Sequence, residues 1–210
     1  MSTYDLEEQE QLATLKAWWQ EHGGAVILGA TIVLAAAAAW NGWAWYQRTQ
    51  AAQAAALYDG LQKAARANDV KAVRDTAGTI LESYPRTAYA PLAALVASRV
   101  QFQAGDLKTA RAQLQWAVEN AKHDEIRSIA ALRLSAVLLD DGDPEAALKV
   151  LDTKPHSSFE SLNASLRGDI LATQKKYPEA RAAYKAALEK ADAGAFRDTL
   201  RLKLEALGEG

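Results

Sequence analysis

The sequence contains no cysteine, which removes disulfides, thiol nucleophiles and thiolate metal sites together. That absence suits an oxidising or a reducing compartment equally. Proline is scarce, at 5 of 210 residues, and Val/Thr-rich alternating runs are missing, so alanine-dominated helix is favoured over sheet. Charge of one sign is lacking too: the formal net charge is −2, which offers no basic surface for nucleic acid. Histidines are few and far apart (His22, His123 and His156), with neither zinc-ligand spacing nor helical pairing. No glycine-rich loop is present to cradle a phosphate. Asp140-Asp141-Gly142-Asp143 opens like a calcium loop but lacks the glutamate at loop position 12 and falls where a hairpin turn belongs. Arg167-Gly168-Asp169 has the form of an adhesion tripeptide, yet it sits mid-helix in a repeat, where packing explains its glycine better. No catalytic constellation is visible, and no cofactor or metal is expected.

Charge is also missing from one long run. Between Ala25 and Tyr46 no acid or base occurs, and 22 residues at ~1.5 Å each span roughly 33 Å, enough for a bilayer core of about 30 Å. Trp40, Trp43, Trp45 and Tyr46 crowd one end, and Trp18 and Trp19 precede the other. Aromatic rings with a polar edge settle at headgroup level, so both ends resemble membrane interfaces. Ala25, Gly29, Ala35 to Ala39 and Gly42 are small enough for close helix contact in a membrane. A cleaved signal peptide would need a basic start, but residues 1–24 set Asp5, Glu7, Glu8, Glu10 and Glu21 against Lys16 alone. The run is therefore read as one transmembrane helix, with Gly23-Gly24 expected to break or loosen the helix before it. Helical composition continues from Gln47 to Ala67, so the membrane helix is open to extension into the first helix beyond it.

The remainder of the chain is repetitive. Gly105-Asp-Leu-Lys-Thr-Ala110, Gly142-Asp-Pro-Glu-Ala-Ala147 and Lys175-Lys-Tyr-Pro-Glu-Ala180 share a turn, an apolar or aromatic residue and a small one, with apolar residues four and seven further on. Asn68-Asp-Val-Lys-Ala-Val73 is a weaker copy. Val73, Ala110, Ala147 and Ala180 are spaced by 37, 37 and 33 residues, bracketing the tetratricopeptide period of about 34. A small residue lets two antiparallel helices approach, and the larger one four on fills the groove against the next pair. Helices are predicted over 90–103, 126–139 and 162–173, with Gly168, Ser98 and Ser135 at the small helix-A position, and a covering helix over 195–207. The fold class is all-α: one amino-terminal transmembrane helix, then a tetratricopeptide-like solenoid of helical hairpins. The boundaries are 1–24 for a short acidic tail, 25–46 for the span and 47–210 for the repeats.

The helix-A positions that line the concave face of such repeats map to Leu92, Leu95, Arg99 and Phe102, then Ile129, Leu132, Ala136 and Leu139, then Leu162, Ser165, Asp169 and Ala172. The set is apolar, which marks either an interface or plain core beneath the terminal helix. If the groove is open, Arg99, Arg133 and Arg167 are its polar contacts.

The order of acidic tail, Leu15-Lys16-Ala17-Trp18-Trp19, Gly23, one span, Trp43-Ala-Trp45-Tyr46 and alanine-rich divergent hairpins resembles the YfgM-like family, ancillary subunits of the bacterial SecYEG translocon. The resemblance covers essentially the whole chain and implies a single-pass inner-membrane protein, amino terminus cytoplasmic and repeats periplasmic. It implies a non-enzymatic role in protein export. The expected partners are SecYEG, a membrane-anchored periplasmic chaperone of the parvulin type (PpiD-like) and nascent secretory polypeptides. Counted literally, Lys16 on one side against Arg48, Lys63 and Arg66 on the other mildly favours cytoplasmic repeats. A membrane-anchored cytoplasmic adaptor or assembly scaffold is the alternative.

Overall fold

The computed structural model describes residues 4–208, with side chains from Glu10 onward, and among these residues there is no strand. The side chains of Asp5, Glu7 and Glu8 in the acidic tail lie outside that description. The chain divides into two compact units, Met1–Thr49 and Gln50–Gly210.

The first unit belongs to helix α1 (Tyr4–Arg66). Gly23-Gly24, expected from the sequence to interrupt the helix, does not. Two glycines cost only about 1 kcal/mol each relative to alanine, and the Trp19 indole lies over Gly23, within 3.2 Å of where a Cβ would stand. The two polar side chains within the apolar run bond their own helix: Thr31 Oγ1 donates to the Ile27 carbonyl at 2.8 Å and Asn41 Nδ2 to that of Ala37 at 3.0 Å. The Thr31 hydroxyl and one of the two Asn41 amide N–H groups thus find partners without water, the kind of internal pairing a helix in hydrocarbon favours.

The second unit is built from helical hairpins. The end of α1 pairs with α2 (Val70–Ser83), α3 (Tyr89–Gln103) with α4 (Leu107–Asn120), α5 (Asp124–Asp140) with α6 (Pro144–Leu151), and α7 (Glu160–Thr173) with α8 (Tyr177–Lys190); α9 (Ala195–Ala206) follows. A single 3-10 turn, Ser157–Phe159, precedes α7. Val73, Ala110, Ala147 and Ala180 are fully buried on the second helices, and Ala77, Leu114, Leu151 and Tyr184, four residues on, are buried with them. The seventh-residue position is filled by Ile80, Ala117 and Ala187 but fails in the third copy, where it is the exposed Lys154. α6 stops at Leu151, and Pro155 disfavours helical geometry at Lys154, so the helix does not reach that position.

The turn inside each hairpin is the same object four times. Asn68, Gly105, Gly142 and Lys175 all adopt positive φ, at 54°, 80°, 82° and 59°. The next residue donates its N–H five residues back each time: Asp69 to Ala64, Asp106 to Gln101, Asp143 to Leu138 and Lys176 to Leu171. That pattern satisfies the last carbonyls of the first helix. The three aspartates also cap the second helix, their carboxylates accepting from the Ala72, Thr109 and Ala146 N–H at 3.0 Å each. One residue thus ends one helix and starts the next.

Hydroxyls stitch the hairpins internally. Ser135 Oγ donates to the Ala147 carbonyl at 2.9 Å and Ser161 Oγ to that of Ala187 at 2.7 Å. Between hairpins, the Asn163 amide of α7 donates through Nδ2 to the Leu151 carbonyl of α6 at 3.3 Å. Arginines join successive hairpins, one residue after the small position: Arg74 pairs with Asp106 at 2.7 Å and Arg111 with Asp141 at 3.8 Å. Arg181 donates to the Leu207 carbonyl at 3.4 Å, fastening α9.

Candidate functional site

The first helices of successive hairpins bring α1, α3 and α5 to one face. Along it Leu92, Leu95, Arg99, Ile129 and Arg133 line one cleft of about 370 Å³ together with Tyr58, Arg66 and Val96. Arg99 and Arg133 also line a neighbouring cleft of about 250 Å³, with Phe102, Leu114, Ala136 and Val137. Leu114 and Val137 are buried and form its apolar floor, whereas Phe102 keeps 39 % of its surface exposed. Arg133 donates to the Leu95 carbonyl at 3.3 Å, which lays its stem across α3.

The remaining candidates from the sequence are placed elsewhere. Leu132 and Leu139 are half-buried against the core shared by α3 to α7. Leu162 is 41 % exposed at the start of α7. Arg167 pairs with Asp152 at 2.8 Å. Asp169 is engaged inside the molecule: Lys203 of α9 donates to both its carboxylate oxygens, at 2.7 and 2.8 Å, and the Tyr184 hydroxyl donates to one at 2.7 Å. Lys203 also reaches Ser165 Oγ at 3.4 Å, and its ammonium lies 5.6 Å from the centre of the Tyr184 ring. Ala172 packs into the same cluster, beside Leu200, Leu204 and Leu207. The inner face is thus covered by α9 over α7 and uncovered over α1, α3 and α5.

Tyr58 and Arg66 were not among the groove positions the sequence singled out; Arg66 entered there only in the charge count beside the span. The register held a signal for Arg66: it precedes Arg99 by 33 residues, and Arg133 and Arg167 follow at 34 each. The first copy hides because its first helix is the tail of a membrane-like helix.

Burial raises the Tyr184 pKa far above the usual phenol range, and the Asp169 carboxylate adds to the effect. Hydrogen bonds from Thr109 hold the Asp106 carboxyl below its ordinary value, and Arg74 contributes further. Glu160 is likewise held low by Lys190, its hydrogen-bonded partner. Each shift follows from a fold contact, and none of these groups lies in the clefts.

In the first unit the candidate residues are open to the surroundings. Trp40, Trp43 and Tyr46 are exposed, as are Ile32, Val33 and Leu34 at 61 to 70 %. Ala25 is exposed as well, and a Cβ at Gly29 or Gly42 would meet nothing within 4 Å. The helix that carries them is long and apolar enough to cross a membrane.

A helical-hairpin array with paired small and large positions defines the class, and the family model of the tetratricopeptide repeat-like domain matches residues 16–209. The ancillary SecYEG translocon subunit of Neisseria gonorrhoeae is 32 % identical over 207 residues, covering 96 % of this chain and 98 % of that one. Its counterpart from Haemophilus influenzae is 32 % identical over 80 % of this chain and 81 % of its own. That from Aggregatibacter actinomycetemcomitans is 28 % identical over 90 % and 93 %. The chain belongs to the family of ancillary SecYEG translocon subunits.

Proposed function

We propose that this protein is a non-enzymatic accessory subunit of the bacterial Sec translocon. It is held in the inner membrane by residues 25–46, with the acidic tail of residues 1–24 in the cytoplasm and the repeats from residue 47 onward in the periplasm. The apolar surface of α1 supports the anchor: among the described residues, side chains such as Ile32, Val33 and Leu34 stay 61 to 70 % exposed, and water is a costly neighbour for so much hydrocarbon. The observation that carries the functional reading is the near-complete overlap with curated translocon subunits. In this reading the uncovered face of α1, α3 and α5 holds a parvulin-type, PpiD-like chaperone or an emerging secretory chain, while the span docks beside SecYEG through Gly29 and its small neighbours. The mechanism is tethering, which raises the local concentration of the bound partner at the translocon exit.

Two experiments test it. Alkaline phosphatase fused after Gly210 is expected to be active, with a cytoplasm-only reporter at the same site silent. A photocrosslinker at Phe102 is expected to capture a periplasmic chaperone or a secretory chain, and one at Gly29 to capture SecYEG. A second reading, a cytoplasmic adaptor on the same anchor, is favoured by Arg48, Lys63 and Arg66 following the span. It predicts the opposite reporter pattern and soluble cytoplasmic partners in mild detergent.

A further inference from the structure

We infer that the face formed by α1, α3 and α5 selects acidic segments: its occupant is a peptide carrying carboxylates beside a large apolar side chain. The inference rests on the groove reading above and adds the chemistry of the segment that enters. Across the chain acids and bases are nearly balanced, at 26 to 24. The two clefts break that balance, since Arg66, Arg99 and Arg133 line them and no aspartate or glutamate does.

These arginines also differ from others in the same unit. Arg74, Arg111, Arg127, Arg167 and Arg201 are paired with aspartates. Among the described residues, Arg66 bonds only Gln62, at 3.3 Å, Arg133 only the Leu95 carbonyl, and Arg99 no side chain or backbone group. Their remaining N–H donors point to an external acceptor. A guanidinium is built for a carboxylate, which it can grip through two parallel bonds.

The walls argue for a peptide over a free anion. Leu92, Leu95 and Ile129 border the arginines on one side, and Leu114, Ala136 and Val137 on the other. A small inorganic ion would leave those surfaces wet. A segment that sets an apolar side chain between two carboxylates would cover them and neutralise the arginines at once. Arg99 and Arg133 are common to both clefts, so one extended or helical segment meets both.

The test uses the full-length chain in a non-ionic detergent and three labelled dodecapeptides with one apolar pattern. Their polar positions are all glutamate, all glutamine or all lysine, and binding is read by fluorescence anisotropy. The glutamate peptide is expected to bind about tenfold or more tighter than the glutamine peptide, with the gap narrowing in high salt. The lysine peptide is expected to bind weakest. Arg99→Glu with Arg133→Glu should invert the order of the glutamate and lysine peptides. Because Arg99 has no hydrogen-bond or ion-pair partner among the described residues, Arg99→Glu alone carries the test if the double variant melts early. Equal binding of the glutamate and glutamine peptides would overturn the acidic preference and leave the groove reading standing. No binding of any peptide above a control lacking the apolar residues would overturn both.

Discussion

Gly168 of α7 lies directly against the Tyr184 ring of α8, so that a Cβ on Gly168 would stand 2.5 Å from both Cδ1 and Cε1. No real pair of non-bonded carbon atoms tolerates that distance. Two of the other three copies accommodate serine at this position, and each serine uses its hydroxyl differently: Ser98 turns back to the Leu95 carbonyl and Ser135 crosses to the Ala147 carbonyl. The fourth hairpin alone fills the space with a tyrosine.

Gly168→Ala is therefore expected to destabilise the fold by about 1–3 kcal/mol despite alanine's better helix propensity. The melting temperature of the full-length chain, followed by circular dichroism, should drop by several degrees. Adding Tyr184→Ala should make the second change far less harmful in the Gly168→Ala background than alone. Strict additivity of the two would exclude the contact as the cause.

Lys175 holds the left-handed turn that glycine holds at 105 and 142. An L-residue there costs roughly 1–2 kcal/mol, part of which glycine returns to the unfolded chain as entropy. Lys175→Gly is expected to stabilise the protein by about 0.5–1 kcal/mol, read as a higher midpoint in urea. The same change at Lys176, which caps without a positive φ, should not stabilise.

Ser135→Ala removes the hydroxyl that ties α5 to α6 while leaving the Ala147 carbonyl its helical partner. A loss of about 0.5–1.5 kcal/mol is expected. Ser135→Leu should cost considerably more, because the helices must separate to admit it.

Tyr184 makes the fold sensitive to base. Its pKa in the folded protein lies above the ordinary value of 10.0, raised by burial and then by Asp169. The fold thus binds the phenolic proton more tightly than the unfolded chain. The stabilisation is complete below pH 10 and is lost as pH rises beyond it, as the unfolded state gains by ionising. Absorbance at 295 nm should show one of the seven tyrosines ionising only as the helices melt. In Tyr184→Phe that late step should vanish, and unfolding in base should lose this component. Asp106 acts at the other end: its folded pKa lies below the ordinary value of 3.8, so its contribution is present above that pH and fades as pH falls through the folded value. Asp106→Asn should flatten the acid limb.

The sequence made the hairpins legible because their signals are local. A residue free to take positive φ followed by aspartate, then an alanine four further on, needs no distant partner to be recognised, and Gly105-Asp106 and Gly142-Asp143 stand out. Lys175-Lys176 has neither residue type, and its copy shows only through Tyr177-Pro178 and Ala180. The inner face was harder, because membership depends on the ground that α9 covers. Nothing local at Asp169 says that Lys203, 34 residues later, takes both carboxylate oxygens. Tyr58 and Arg66 escaped because repeat register, rather than composition, assigns them. Gly23-Gly24 misled for the opposite reason: a local breaker signal was outweighed by the long helix around it.

The turns within hairpins are all three residues long, at 67–69, 104–106, 141–143 and 174–176, whereas the links after them run five, three, eight and four residues. Length variation is therefore confined to one kind of joint. The first kind is locked by one hydrogen-bond pattern that no insertion could preserve; the second shares no common pattern, and the 152–159 link is tied by contacts of its own, among them Asp152 to Arg167 and the His156 N–H to Ser128 Oγ. An added epitope, a fluorophore-bearing loop or a natural insertion belongs in the 152–159 link, where the chain already departs from the repeat.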